Sequence, residues 1–198
     1  YFNEALSRSD YYINGQELAG TFHGKLKDKL GLSEFVEKDI FHRLCDNLHP
    51  TLERNLTPRT KEERTVGYDI NFHCPKSVSI LYGLTGDKKV LKSFQSAVRD
   101  TMQDMEMDMK ARVRLNNVYE DRESPGLLWS EFIHQTSRPV KGHAPDPHLH
   151  AHCFVFNVVY DEVEQRFKAG QFRDIKRDMP YYQALFHKRL ADNMHTLG

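Results

Sequence analysis

Three histidines alternate along PHLHAHCFVFN, Pro147 to Asn157: His148, His150 and His152. In an extended chain alternate side chains share a face, so the three imidazoles point one way while Leu149, Ala151 and Cys153 point the other. Polar rings gathered on one strand face are costly to bury without partners, which argues that they bind something. A second segment, LLWSEFIHQTSR, carries His134 at the end of its strand pattern. If the two strands pair, His134 meets His150 and His152 across the sheet. Three neutral imidazoles that leave coordination positions open suit a catalytic divalent metal. A closed structural zinc site would want a fourth protein ligand, and Cys153 faces away from His150 and His152. A lone histidine is more readily read as a surface or core residue; a set of three is not. His143 lies in a Gly/Pro-rich loop and His148 at the strand's edge, so neither is counted as a ligand.

Metal-bound imidazoles are commonly oriented by a carboxylate on the far ring nitrogen. Asp69, inside the strand pattern GYDINF, is the best-placed candidate, because an acid within an apolar strand is costly unless partnered. The alternative is an edge-strand aspartate facing water. Tyr1, Tyr11 and Tyr12 crowd the start of the chain. Tyrosine can act as a covalent nucleophile, but with a pKa near 10 it needs a base or a metal to activate it. Paired tyrosines are otherwise packing residues, and only the nearby histidine set gives these three a chemical reading.

The elements that must position these groups follow from periodicity. Ser33 to Leu48 predicts an amphipathic helix with Ser33 as N-cap and Phe35, Val36, Ile40, Phe41 and Leu44 as its stripe. A polar loop follows over Thr57 to Thr65, then a strand over Val66 to Phe72 and a short helix from Pro75 to Tyr82. A long helix is predicted from Asp87 to Arg112, whose methionines (Met102, Met105, Met109) read as core packing. Strands are predicted over Asn116 to Glu120, Leu127 to His134, His148 to Tyr160 and Arg166 to Ala169, and a last helix over Met179 to Leu197. Helices interleaved with antiparallel strands indicate an α+β domain.

Composition bounds the partners. With 198 residues, 39% hydrophobic and 28% charged, the chain is long enough for one domain with a substantial core. No apolar run approaches the length of a membrane span. Lys plus Arg equals Asp plus Glu, 28 of each, so a nucleic-acid site would have to be a local basic surface. The candidates are Arg59, Lys61 and Arg64; Lys88, Lys89 and Lys92; and Lys110, Arg112 and Arg114. Each cluster alone also reads as a solvated face. Cys45, Cys74 and Cys153 lack CxxC spacing, which argues for reduced thiols in a cytoplasm-like compartment. The start without methionine and the stop at a helix end suggest a piece of a longer protein.

In chain order, the segments YF and DYY, AGTFHGKLKDKLGL, GYDINFHCPKSVSIL, FIHQTSRP and PDPHLHAHCFVFN resemble the MobF-type conjugative relaxases, members of the HUH (His-hydrophobe-His) endonucleases. The resemblance spans nearly the whole chain, and GYDINFHCPKSVS with LHAHCFVFN is its specific part. It implies a palm-like antiparallel sheet covered by helices, with residues 1–198 as a single relaxase domain. It also implies metal-dependent nicking and joining of single-stranded DNA at an origin of transfer, through a 5′-phosphotyrosyl enzyme. By the same resemblance His150 and His152 are the HUH pair and His134 the third ligand, and Asp69 orients a histidine or helps to deprotonate the nucleophile. Tyr1 is the nicking tyrosine, and Tyr11 and Tyr12 form the second pair, tied in some members to a later strand transfer. Phe2 replaces the second tyrosine of the leading pair, and His148 stands where a Gln is usual. The implied partners are relaxosome accessory proteins and a coupling protein. The implied place is the bacterial cytoplasm, with passage to the recipient cell alongside the DNA. Mg or Mn is the expected ion in cells, while Zn, Co or Ni also suit three imidazoles. Two rival readings are a zinc hydrolase acting through water, for which no HExxH segment is present, and a non-catalytic DNA-binding module with a structural metal.

Overall fold

The structure, a computed structural model, describes residues 19–58, 64–137, 142 and 144–197. Its centre is an antiparallel sheet of β1 (Thr21–His23), β2 (Gly67–His73), β5 (Trp129–Thr136) and β6 (Pro147–Phe156), in the spatial order β1-β5-β6-β2. The α+β reading holds. The strand carrying three alternating histidines is central, flanked by the strand of His134 on one side and that of Asp69 on the other.

One face of this sheet is apolar except for Glu131 of β5, a buried carboxylate opposite Cys153. Ile70, Phe72, Leu149, Ala151, Cys153, Val155, Trp129 and Ile133 pack against the long helix α4 (Lys88–Met107) and the C-terminal helix α6 (Met179–His195). The methionine stripe is core: Met102, Met105 and Met109 are fully buried. The other face is divided. At one end Phe132, Phe154 and Phe156 enclose Phe41 of helix α2 (Lys38–Cys45), with ring centroids 5.3–6.1 Å apart, and helix α1 (Lys25–Lys29) adds Leu26 to that cluster. At the other end the same strands present imidazoles instead of phenyl rings. The register achieves this, because Phe132 stands opposite His152 and His134 opposite His150.

Four elements depart from expectation. The helix expected from Ser33 begins only at Lys38, because the Glu34 carbonyl and Val36 amide are spent on pairing with Phe22 and Gly20. Ser33 donates to the Phe35 carbonyl rather than capping, and Phe35 is exposed. The long helix ends at Met107, and Lys110–Leu115 is a strand, β3, paired with β4 (Val118–Glu123) and with β9 (Gly170–Gln171). Asn116 and Asn117, both at positive φ (47° and 65°), make the two-residue turn between β3 and β4. The segment expected as one strand to Tyr160 breaks after Phe156 and resumes as β7 (Val159–Asp161), which pairs with β8 (Arg166–Lys168). Asn157 occupies the break, donating to the Thr65 carbonyl and accepting from the Gly170 amide. The remaining helices are α3 (Lys76–Thr85), opened by Pro75 as expected, and the short α5 (Arg173–Arg177).

Candidate metal centre

His134, His150 and His152 form a triangle. Their ring centroids lie 5.1 Å (His134 to His150), 5.3 Å (His134 to His152) and 5.3 Å (His150 to His152) apart. Imidazoles held through one nitrogen at about 2.1 Å from an ion have centroids about 3.3 Å from it, hence about 4.7–5.4 Å from one another at ligand angles of about 90–109°. Among the described residues no three His, Cys, Asp or Glu side chains are already gathered into a finished ion site. The centroid spacing nevertheless suits a common ion, because a small turn about χ2 shifts a ring's nitrogens while hardly moving its centroid.

The outer nitrogens are held. Nδ1 of His150 donates to the His148 carbonyl at 2.8 Å, and Nδ1 of His152 meets both oxygens of Asp69, at 3.1 and 3.3 Å. In both rings this puts the proton on Nδ1 and the lone pair on Nε2, the tautomer that a metal ligand needs. Burial pushes the His150 pKa down to about 4, so the ring is neutral at ordinary pH with no metal to hold it so. Asp69 stands on β2 in line with Asn71 and His73, and Asn71 donates to its carboxylate. Asp69 thus lies against a histidine of the triangle, as a carboxylate that could orient its ring. Asp69→Asn is expected to weaken divalent-metal binding by about 10- to 100-fold without unfolding the chain, as read by calorimetric titration. An unchanged affinity would remove Asp69 from the site.

Sequence reading missed one neighbour and undervalued another. His73 lies opposite His150 in the β2/β6 register, and its ring stacks against those of His148 and His150. Its signal was the alternation of GYDINFH itself, which puts Asp69, Asn71 and His73 on one face. His148, not counted as a ligand from sequence, has its Nε2 3.2 Å from Nδ1 of His73. Tyr1, Tyr11, Tyr12 and His143 lie outside the described residues. So do Arg59 and Lys61, while Arg64 is spent on the Cys45 carbonyl. Lys88, Lys89 and Lys92 are exposed on α4. Lys110 pairs with Asp174, and Arg112 and Arg114 stand exposed over the Tyr119 ring on the β3/β4 ribbon. Cys45, Cys74 and Cys153 are buried free thiols, as expected. Among the described residues no helix is long and apolar enough to cross a membrane.

The TrwC relaxase family model matches residues 1–198. This chain belongs to the TrwC relaxase family. The multifunctional conjugation protein TraI of Escherichia coli (strain K12) is 26% identical over 204 residues, covering 99% of this chain but 11% of TraI. The chain thus spans only a small part of that relative's length. The conjugative relaxase TrwC, in a metal-bound structure with oriT DNA, superposes with a TM-score of 0.88 at 25% identity, over 98% of this chain and 68% of that one. TrwC bound to a 27-mer DNA comprising the recognition hairpin and the cleavage site gives 0.86 at 25% identity, over 99% and 66%. Family membership agrees with the palm-like antiparallel sheet and its helix cover.

Proposed function

We propose that this chain cuts and rejoins one strand of origin-of-transfer DNA by metal-dependent transesterification, with Tyr1 as nucleophile. The observation that carries this reading is the imidazole triangle with Asp69 on its His152, in a chain that a relaxase family matches from end to end. His134, His150 and His152 would hold a divalent ion, Mg or Mn in cells, with Zn, Co or Ni also suited to the donor set. A bound ion supplies charge neutralisation at the scissile phosphate and makes its phosphorus more electrophilic.

The protein's own groups do the rest. Asp69 fixes the His152 ring, and the His148 carbonyl fixes that of His150, so neither must reorient as charge develops. The Tyr1 phenol, ordinarily titrating near pH 10, must lose its proton before attack, and Asp69, in contact with His152 of the triangle, is the carboxylate proposed to help. The tyrosine oxygen attacks phosphorus in line. One P–O bond to the enzyme forms as the bond to the 3′ oxygen breaks, and that oxygen takes up a proton. The products are a free 3′ hydroxyl and a 5′-phosphotyrosyl enzyme. Because a phosphodiester is exchanged for a phosphodiester, a later 3′ hydroxyl reverses the step and joins the strand. Tyr11 or Tyr12 would serve that second transfer.

Single-stranded DNA would meet exposed cations and aromatics, and the described candidates are two separate clusters, Arg112 and Arg114 beside Tyr119 on the β3/β4 ribbon and the lysines at the start of α4. Relaxosome accessory proteins and a coupling protein complete the proposed setting, in the cytoplasm of a bacterium and then with the transferred strand. The test is a labelled single-stranded origin-of-transfer oligonucleotide incubated with Mg or Mn and then with chelator. The expected result is a metal-dependent cut whose 5′ end is protein-linked and whose 3′ end is a free hydroxyl. A cut leaving a free 5′ phosphate would mean that water is the nucleophile, and the rival hydrolase reading would stand.

A further inference from the structure

Beside the triangle stand two imidazoles that it does not use. His73 and His148 lie with ring centroids 5.2 Å apart and planes inclined by 11°, and Nδ1 of His73 is 3.2 Å from Nε2 of His148. His148 stacks on His150 at 4.5 Å and His73 on His150 at 5.6 Å, so the pair abuts the triangle at its His150 vertex. His150 cannot serve both groups: its Nδ1 is committed to the His148 carbonyl, leaving one nitrogen for one ion. Two imidazole nitrogens on a single ion at about 2.1 Å lie about 3.0–3.4 Å apart at ligand angles of about 90–109°, and the His73–His148 separation falls within that range. The β2/β6 register ends with His73 opposite His150, and just beyond it the Cys74 amide donates to the Leu149 carbonyl, so the backbone on both sides of the pair is hydrogen-bonded.

We propose that His73 and His148 are the protein ligands of a second divalent-metal site, next to the three-imidazole triangle and independent of it. Solvent oxygens complete its coordination, since His73 is exposed and His148 half-buried. Its ligands select the ion. Imidazole suits Ni, Cu and Zn and is a poor partner for the hard ions Mg and Ca, which prefer oxygen. The number of ions the chain holds therefore depends on which metal is supplied. Two imidazoles give a weaker site than three, so the second ion binds after the first. In the absence of such an ion the same two nitrogens share a proton as an N–H···N hydrogen bond, and the second site competes only with that bond.

The experiment counts Ni(II) bound to the whole 198-residue chain, by calorimetric titration and by metal analysis of the desalted complex. The wild type is expected to take up about two ions and His148→Gln about one, while Mg(II) should give no second binding event in either. His73→Asn, at an exposed position, repeats the test should His148→Gln fail to fold, with circular dichroism as the check. A chain carrying both His134→Ala and His152→Ala should lose the tighter ion and keep the weaker. Wild-type stoichiometry in His148→Gln and His73→Asn overturns the second site, as does a wild type that binds a single ion. Loss of the weaker ion in His148→Gln, with no loss on removing His134 and His152, would support the second site and count against the triangle alone.

Discussion

His150→Ala is expected to abolish tight divalent-metal binding and to lower metal-dependent strand cleavage by more than about 100-fold, because losing a ligand exceeds the 10- to 100-fold cost of losing its orienting partner. The ring it removes is a vertex of the triangle, 5.1 Å from His134 and 5.3 Å from His152. Deleting it leaves two imidazoles, which still attract an ion but no longer fix its position. The apo-protein should remain folded, because the apolar faces of the sheet are untouched and a buried polar ring is lost. Calorimetry with Mn(II), circular dichroism and a single-turnover cleavage assay read the three quantities separately. Cleavage at the wild-type rate in this variant would mean that the triangle is not the metal centre.

A larger effect on stability is expected on the far side of the sheet, at Glu131. Its side chain is fully buried, and all its pairing passes through Oε2: Arg99 donates at 2.7 and 3.1 Å, and His23 lies at 3.4 Å. Oε1 has no hydrogen-bond partner among the described residues. Burial pushes the Glu131 pKa up, but the hydrogen bonds from His23 and Arg99 and the Arg99 charge outweigh it, holding the carboxyl below its ordinary 4.5. Arg99→Met strands the charge and is expected to cost about 3–5 kcal/mol, whereas Arg99→Met with Glu131→Met should recover much of the loss, since an apolar pair carries no desolvation penalty. The pH dependence has a definite sign. In the wild type Glu131 contributes stability above pH 4.5 that is lost as pH falls through its lower folded value. Without Arg99 burial dominates, the folded value rises above 4.5, and stability is instead lost as pH rises through it. The gap between wild type and Arg99→Met in urea denaturation should therefore narrow on acidification toward pH 4. A gap that widens, or a double variant less stable than Arg99→Met alone, would show that Arg99 is not what neutralises Glu131.

The centre was legible where a single strand's alternation carries the information. His150 and His152 follow from the period of two in one segment, and His134 and Asp69 from the need of that segment for neighbours. His73 belongs to the same alternation as Asp69, yet a histidine at a strand's end, beside a more conspicuous acid, gives little signal until the β2/β6 register sets it opposite His150. Boundaries failed where tertiary pairing overrode local period. Glu34 to Val36 fit a helical stripe, but β1 takes their backbone groups. The apolar rhythm of the long helix runs on to Met109, which is buried after the helix has already ended at Met107. The Asn116–Asn117 turn, with both residues at positive φ, makes a hairpin of what read as the end of a helix and one strand. The tyrosines, legible only through the family resemblance, lie outside the described residues, and their role is a matter for chemistry.

The most direct measurement is cleavage of labelled single-stranded origin-of-transfer DNA by wild type and by Tyr1→Phe, resolved on a denaturing gel, with the modified peptide sequenced by mass spectrometry. A metal-dependent protein–DNA adduct at Tyr1, absent from Tyr1→Phe, is expected. Metal-dependent cutting with no adduct in either protein would contradict covalent nicking by this chain.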